Sequence, residues 1–414
     1  MEALEMILQH PIDVNASNFQ IRMGVAEAAS KWKQMPEKVD LLRQHGFDVE
    51  AELPMQSSFY LAAYNNNPAE FRRLIDQFHP PFDVKNPVYG PSLWQACIRK
   101  RDVTGLKFLL SRGLTIDARD HRGASLLQFA YTHGYAGQNR DSILQTILSY
   151  NPKLDITDSL GHTVLISAMQ QGDIKWAQYF VIHGADPNKA DRAGYTPLLH
   201  LGYAWAILDQ TLPSGESNLA LAKWMIRNGA NPEKKGLDGN TFLIFACARN
   251  DLPLAQYLID TLKFQVNDTT KAGESAFTKA VNEPQMKIGM DPEWPDIPGD
   301  DPLMWLEARI PLVRYLISKG ANVNAMNRYL GYEPVVMIYQ YGYTDFAKEC
   351  VEAGYKINRV TTARNLFQSA VMQKDYNFVK YLLGKGLDPN LHFNGMPLER
   401  AVTDPKMLEI LQGR

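Results

Sequence analysis

The densest group of side chains that could do chemistry is an acidic run in the second half of the chain. It consists of Asp291, Glu293, Asp296, Asp300 and Asp301. Carboxylates at this spacing can bind Ca²⁺, but the twelve-residue calcium loop also needs a glycine at its sixth position and a final glutamate, which this run lacks. Three prolines also stiffen the run. The sequence therefore favours a solvated or partner-facing acidic loop, and we predict no metal site.

The rest of the sequence lacks the motifs that mark common catalytic sites. It contains no nucleophile elbow of the form Gly-x-Ser-x-Gly, no His-Glu-x-x-His, no phosphate-binding loop and no dinucleotide fingerprint. The nine histidines are scattered. His45 and His183 each precede a glycine that ends a predicted helix, where an imidazole suits the negative end of the helix dipole. We therefore predict that the protein is not an enzyme, with no catalytic residues and no cofactor.

A short phrase recurs along the chain and dominates its organisation. It reads His-Gly-Ala-Asp-Pro-Asn at 183–188 and Lys-Gly-Ala-Asn-Val-Asn at 319–324, with further copies between and after them. Gly320 and Gly354 are 34 residues apart, and Gly354 and Gly386 are 32 apart. A period of about 33 residues is typical of a stacked repeat architecture.

Each copy of the repeat predicts a pair of helices. The apolar run at 176–182 has its apolar residues at i, i+3 and i+4, which gives one buried stripe. The following Gly184 ends the helix, because glycine adopts the left-handed C-cap conformation at little cost. After a polar turn, Thr196 can cap a second helix and Pro197 suits its first position.

This pattern resembles the ankyrin repeat. The likeness is carried by Gly194-Tyr195-Thr196-Pro197-Leu198, by Gly184-Ala185-Asp186 in the preceding unit and by residues 239–246, with weaker openings such as the one at Met396. It implies an all-α fold, a solenoid of about ten to eleven helix-turn-helix units with short β-turn fingers. We expect capping helices over residues 1–40 and the repeat array over 41–414.

Composition narrows the functional classes. Forty-three lysines and arginines against forty-five acidic residues give a formal net charge of −2. That balance argues against a general nucleic-acid binder, and the one compact basic run, residues 99–101, is interpreted as a solvated helix end. Three cysteines without a Cys-x-x-Cys pair fit a reducing compartment, and Cys97 and Cys247 are expected in the core. Without a signal-peptide pattern or a long apolar run, we expect a cytoplasmic monomer that does not bind membranes.

Two insertions break the repeat period, both between the two helices of a unit. The first spans about 203–217 and carries Tyr203 and Trp205; the second spans about 283–306 and carries Trp294 and Trp305. Ordered loops longer than about 12–15 residues are uncommon without a function. A tolerated insertion remains an equal alternative, since doubling a loop costs only about 0.6 kcal/mol.

The ankyrin resemblance also implies where a partner would bind. In that family a partner lies in a concave groove and contacts finger tips and the ends of the first helices. The finger positions selected here are His121, Arg122, Arg192 and Lys271, with Tyr329 in a turn whose spacing departs by one residue. The selected first-helix ends are His133, Arg249 and Tyr341, and the selected insertion residues are Tyr203, Trp205, Trp294 and Trp305. Aromatic residues and arginine are common binding anchors.

Three hypotheses about function follow from the sequence. We favour an interaction protein that binds one folded protein partner in the groove, with inhibitor or toxin-neutralising immunity protein as roles within that class. The second hypothesis is a secreted bacterial effector that binds a host protein. The third is an enzyme with a site in the 283–306 insertion, which the absence of catalytic motifs disfavours.

Overall fold

The structure is a computed structural model. It describes residues 93–133, 138–203, 218–281, 302–326, 333–359, 365–388, 392–393, 396–397 and 402–413, together with residues 44, 69, 72–73 and 75–76 upstream. The predicted capping helices over 1–40 lie outside the described residues, as do Trp205, Trp294 and Tyr329. The chain divides into two compact units. The N-terminal unit is Met1–Ala168 with Lys175–Arg192, and the C-terminal unit is Met169–Ile174 with Ala193–Arg414.

The described part of the N-terminal unit is built from helix pairs. In chain order its helices are α1 (Leu93–Arg99), α2 (Val103–Ser111), α3 (Leu126–His133), α4 (Gln138–Leu148), α5 (Val164–Gln170) and α6 (Ile174–Ile182). The unit boundary crosses the last pair, because Met169–Ile174 belongs to the C-terminal unit. Helix α1 packs on α3, and α2 packs on α4. The Tyr131 ring of α3 meets the Phe180 ring of α6 edge to face, with centroids 6.0 Å apart.

The C-terminal unit continues the same alternation of helices. They are α7 (Pro197–Tyr203), α8 (Asn218–Arg227), α9 (Phe242–Ala248), α10 (Leu252–Gln256), α11 (Ala276–Val281), α12 (Pro302–Ser318), α13 (Pro334–Gln340), α14 (Thr344–Glu352), α15 (Leu366–Met372), α16 (Tyr376–Gly384) and α17 (Pro405–Leu411). A π-helical turn at Tyr257–Thr261 continues α10. The first helices of successive pairs pack side by side, in the order α7, α9, α11, α13 and α15.

The helix boundaries follow from local sequence, as predicted. The glycines after the second helices are left-handed, with φ of 97° at Gly184 and 81° at Gly320. At the other end, the Thr241 hydroxyl accepts a hydrogen bond from the Ile244 amide at 3.2 Å and caps α9. Phe242, the first residue of that helix, is fully buried between the repeats. Packing of its apolar face therefore adds most of the stability of this short helix.

Two local features add detail to the predictions. The weaker repeat opening at Met396 begins with a two-residue strand, because β1 (His392–Phe393) pairs antiparallel with β2 (Met396–Pro397), and residues 398–401 lie outside the described residues. Helix α12 begins at Pro302, so residues 302–306 of the predicted insertion are helical, and Leu306 is fully buried. The reason is that proline suits the first turn of a helix and Leu306 supplies an apolar contact one turn later.

The overall class is mostly helical, as expected. The three cysteines are reduced and buried, including Cys97 and Cys247 at the predicted core positions. Within the described ranges, no helix combines the length and the apolar character that crossing a membrane requires.

Candidate functional site

Two finger turns of the N-terminal unit are held by the aspartate that opens each of them. One carboxylate oxygen of Asp120 accepts hydrogen bonds from the amides of Arg122 and Ala124, both at 2.9 Å. In the next finger, Asp158 accepts from the amides of Leu160 and His162 at 2.8 and 2.9 Å. Such side-chain to backbone bonds mimic a backbone turn and fix its shape. The two tip residues of each turn are thereby set at defined positions.

Neighbouring fingers of the N-terminal unit are joined backbone to backbone. The Ser159 amide donates to the Arg122 oxygen at 2.7 Å, and the Arg192 amide donates to the Leu160 oxygen at 3.0 Å. The fingers approach so closely that a Cβ on Gly161 would lie 2.6 Å from the Arg192 nitrogen. Gly161 also has a φ of 87°, which favours glycine. Each tip is therefore pinned by its neighbour as well as by its own turn.

The C-terminal unit repeats this arrangement. The Leu237 amide donates to the Ala193 oxygen at 2.8 Å, and the Lys271 amide donates to the Asp238 oxygen at 2.7 Å. The side chain of Leu237 is 64% exposed, which is unusual for a large aliphatic residue, and Lys271 is also exposed. The backbone of these tips is paired, whereas their side chains face solvent.

Tyr195 braces the finger that carries Leu237. Its hydroxyl donates to the Asp238 carboxylate, and the Asn240 side-chain amide donates to the Tyr195 oxygen at 3.3 Å. Burial acts to raise the pKa of Asp238, but the bonds from Tyr195 and Asn240 outweigh it, so the pKa lies below its usual value. The aromatic ring lies directly beneath Gly236, where a Cβ would come within 2.0 Å of a ring carbon.

A second set of inter-repeat bonds lies at the loops that follow the second helices. Asn358 donates to the Gly386 oxygen at 2.9 Å and accepts from the Asp388 amide at 2.8 Å. Asn324 does the same one repeat earlier, with the Gly354 oxygen at 3.0 Å and the Lys356 amide at 2.7 Å. In these two repeats the asparagine that ends the recurring phrase therefore connects its loop to the next one.

At the ends of the first helices, His133 lies against aromatic and cationic groups. Its ring stacks on Phe129 with centroids 4.1 Å apart, and the Arg99 guanidinium lies 5.7 Å from the centre of that same ring. Burial lowers the pKa of His133, and the nearby charges of Arg99 and Arg122 lower it further. A finger tip and two first-helix ends thus meet in the N-terminal unit.

The comparisons with known proteins agree with this geometry. Residues 212–259 match the family model described as ankyrin repeats in many copies. This stretch of the chain is ankyrin repeat. Over 144 residues, 34% of the chain, it is 26% identical to Rabankyrin-5 of Mus musculus and 25% identical to Rabankyrin-5 of Homo sapiens. The matched segment covers 12% of the length of either relative.

The matches confirm the predicted family resemblance. Ankyrin repeats in general mediate protein–protein interaction, and proteins of this kind are typically not enzymes. Because the likeness covers a small part of each relative, it concerns the repeats and carries nothing about the rest of those proteins. The specific partner and role of this chain must therefore be inferred from its own residues.

The predicted binding residues fall into three groups in the ankyrin framework. Exposed finger tips hold His121, Arg122, Arg192 and Lys271, and His133 is an exposed first-helix end. Arg249 and Tyr341 are half-buried helix C-caps. Tyr203 ends α7 and Trp305 lies in α12, and their side chains are not among those that the structure describes.

One residue at the first-helix ends was not predicted. Arg309 of α12 is 7% exposed and donates to backbone oxygens of Cys247 and Ala248 in α9 and of Lys279 and Ala280 in α11. Burial lowers the pKa of Arg309 to about 10, so it remains charged at neutral pH. No local pattern identifies this role, because an arginine in a mainly apolar helix usually faces solvent.

Proposed function

We propose that this chain is a non-enzymatic interaction protein that binds a folded protein partner through its ankyrin fingers and first-helix ends. The observation that carries the proposal is the finger pairing within each unit. Backbone amides and carbonyls of adjacent fingers bond to one another, while tip side chains such as Leu237 and Lys271 stay exposed. Such a surface presents varied side chains on a fixed backbone.

A fixed backbone favours binding because little conformational freedom is lost when a partner docks. The exposed leucines at two tips support the same conclusion. Leu160 is 60% exposed in the N-terminal unit and Leu237 is 64% exposed in the C-terminal unit. Large aliphatic side chains gain free energy when a partner covers them, at about 25 cal/mol per Å² of apolar area.

The proposed contact residues are those selected from the family resemblance, extended by the two tip leucines. They are His121, Arg122, His133, Leu160, Arg192, Leu237, Arg249, Lys271 and Tyr341. Tyr203, Trp205, Trp294, Trp305 and Tyr329 are proposed as further contacts. Aromatic and arginine side chains contribute most to interfaces when they become fully desolvated.

Several finer points belong to the same proposal. The described residues include eight helix pairs, which supports a repeat that continues for ten to eleven units along the chain.

A role as an inhibitor or toxin-neutralising immunity protein would suit a dedicated one-partner binder. We further propose that the protein is a cytoplasmic monomer, and that neither nucleic acid nor a membrane is its partner, in keeping with its net charge of −2.

The proposal is tested by affinity capture from the native source with the full chain as bait. In one bait Leu237→Asp and Lys271→Glu change two neighbouring finger tips. In a matched bait Ile182→Asp and Lys380→Glu change exposed residues on the second helices α6 and α16. We expect the finger variant to recover at least about tenfold less of the partner, which corresponds to about 1.4 kcal/mol of binding.

The matched bait should recover as much partner as the wild type. Equal recovery by all three baits would overturn the finger surface as the binding site. A separate bait, with residues 284–300 replaced by a short Gly/Ser linker, tests the insertion while leaving α12 intact from Pro302. Undiminished affinity in that bait would show that the insertion does not contact the partner.

A further inference from the structure

The N-terminal unit has a marked excess of positive charge over one stretch. Residues 93–133 contain seven lysines and arginines but only three aspartates and no glutamate, although the whole chain carries a net charge of −2. The stretch covers α1, α2, one finger and α3. Charge is therefore distributed unevenly along the chain. This stretch is locally positive although the whole chain is nearly neutral.

Each of the three aspartates in this stretch accepts a hydrogen bond from a backbone amide. Asp102 accepts from the Gly105 amide at 2.7 Å and caps α2. Asp117 accepts from the Lys153 amide at 2.9 Å, and Asp120 holds the finger turn through two amides. Each carboxylate therefore already stabilises an N–H group, and its geometry is fixed by that role.

By contrast, Arg99 and His133, whose imidazole is neutral near pH 7, both contact one aromatic ring, and Arg122 lies nearby. Arg99 at the end of α1 and His133 at the end of α3 both lie on Phe129, at 5.7 and 4.1 Å from its centre. Arg122 on the adjacent finger tip is close enough for its positive charge to lower the pKa of His133. In the part of the chain that the structure describes, neither Arg99 nor Arg122 forms an ion pair with a carboxylate.

These three residues, the cationic cluster, occupy the positions at which the proposed function puts a partner. Arg99 and His133 end the first helices of two successive repeats, and Arg122 is a finger tip between them. All three side chains are exposed. Contact of Arg99 with the Phe129 ring restricts the guanidinium, which reduces the entropy lost on binding an anion.

We infer that the cationic cluster of Arg99, Arg122 and His133 binds an acidic segment of the partner protein, one rich in aspartate or glutamate. The inference rests on the proposed function and names the chemistry of the partner at this end of the chain. Arginine suits carboxylates because its planar guanidinium can donate two parallel hydrogen bonds to them. The patch is confined to two helix ends and one finger, which fits a short peptide segment better than a nucleic-acid backbone.

The test uses an eight-residue polyaspartate peptide with a fluorescent label, added to the full-length protein. Binding is followed by fluorescence anisotropy at low ionic strength and again at physiological salt. We expect the wild-type protein to bind the peptide, and the variant Arg99→Glu with Arg122→Glu to bind it at least about tenfold more weakly. Higher salt should weaken wild-type binding, since these charges are exposed to solvent.

A matched variant, Lys107→Glu with Lys189→Glu, makes the same change in net charge at other exposed sites of the unit. It should lose no more than about twofold, because neither lysine is among the charges that act on His133, and exposed charges away from the cluster are screened. Equal losses in both variants would overturn the inference in favour of a nonspecific charge effect. Tighter binding of a labelled single-stranded oligonucleotide, lost in the Arg99 and Arg122 variant, would also overturn it.

Circular dichroism of each variant against the wild type checks that the fold is intact, and Arg99→Gln with Arg122→Gln provides a milder pair if the reversals unfold. The outcome is separable from that of the proposed function. If the peptide fails to bind while finger variants at Leu237 and Lys271 still abolish partner capture, only the acidic-segment inference is wrong. If capture is insensitive to the fingers but the peptide binds the cluster, the proposed binding surface is wrong instead.

Discussion

The Nη2 atom of Arg309 lies 2.7 Å from the backbone oxygen of Ala248, at the C-terminal end of α9. The same guanidinium also donates to the Ala280 oxygen of α11 at 3.2 Å. The last carbonyls of a helix have no partner within the helix and carry the negative end of its dipole. One arginine from a second helix therefore caps two first helices in the C-terminal unit.

We expect Arg309→Met to destabilise the protein by about 3 kcal/mol, because methionine fills the space but leaves buried carbonyls without donors. The measurement is the urea midpoint of the unfolding transition, followed by circular dichroism. Arg314→Met on the same helix is the control, since Arg314 pairs with Glu349 on an exposed surface at 2.7 Å. That exposed pair should contribute less than about 1 kcal/mol. Equal shifts for the two variants would contradict the capping role.

The contact between Gly236 and Tyr195 gives a second prediction. A methyl group at Gly236 would lie 2.0 Å from a Tyr195 ring carbon and 2.7 Å from an Asp238 oxygen. We expect Gly236→Ala to cost about 2 kcal/mol, since overpacking a tight site forces side chains away from their preferred positions. Thermal unfolding measures the loss.

The control for that change is Gly384→Ala at the end of α16, where nothing lies within 4 Å of the added Cβ. Alanine favours the helix over glycine, so this variant should be slightly stabilised, by up to about 1 kcal/mol. A Gly236→Ala protein that unfolds at the wild-type temperature would show that the finger can move away from Tyr195.

The loop asparagines give a third prediction. Asn358→Ala removes both the bond to the Gly386 oxygen and the acceptor for the Asp388 amide. We expect a loss of about 1–2 kcal/mol and faster hydrogen exchange at the Asp388 amide. Asn228→Ala is the control, because among the described residues that side chain bonds within its own repeat, to the Trp224 oxygen at 2.8 Å. Unchanged exchange at Asp388 in Asn358→Ala would argue against the inter-repeat role.

The lowered pKa of His133 predicts how peptide binding at the cationic cluster depends on pH. The pKa of the imidazole lies below its ordinary value of 6.5, so the ring is mostly neutral near pH 7. Burial is the main cause, with the charges of Arg99 and Arg122, and the hydrogen bond to the Phe129 backbone and the charge of Asp120 offset them only in part. Affinity for the polyaspartate peptide should therefore rise as the pH falls below 6.5, by about fivefold once the imidazole is charged. The peptide carboxylates, with a pKa of about 3.9, remain ionised over this range.

Two histidine variants separate the sources of this pH dependence. His133→Gln should remove most of it, whereas His121→Gln, on the adjacent finger tip, should retain it. Loss of the pH dependence in His121→Gln alone would assign the effect to the finger instead of the first-helix end. Anisotropy titrations at four pH values in the same buffer ions provide the measurement.

The repeat itself could be predicted from sequence because its signals are local. A glycine with a positive φ ends several second helices, as Gly184 and Gly320 do, and a leading aspartate such as Asp120 fixes its finger turn. The finger tips at His121 and Lys271 were predicted from the resemblance of this pattern to the ankyrin repeat. The strand pair at His392–Phe393 and Met396–Pro397 was not predicted, because a proline such as Pro397 suits either a helix start or an edge strand.

The contacts that matter between repeats could not be predicted in the same way. Arg309 is 62 residues from Cys247 in sequence, so no window of sequence brings the two together. Arg99 was interpreted as part of a solvated helix end because its position beside Phe129 and His133 depends on packing between successive repeats. Periodicity gives the repeating unit, but the side chains that cross between units depend on tertiary packing.

The pairing of the fingers has a consequence for how this protein could change over generations. The bonds between Leu237 and Ala193 and between Lys271 and Asp238 use only main-chain atoms, so they tolerate any residue that accepts the same turn. Mutation at a tip can therefore alter which molecule is recognised while the scaffold keeps its stability. In such an architecture the residues that recognise a partner differ from the atoms that stabilise the fold. Each tip is therefore an independent position for the design of new specificity.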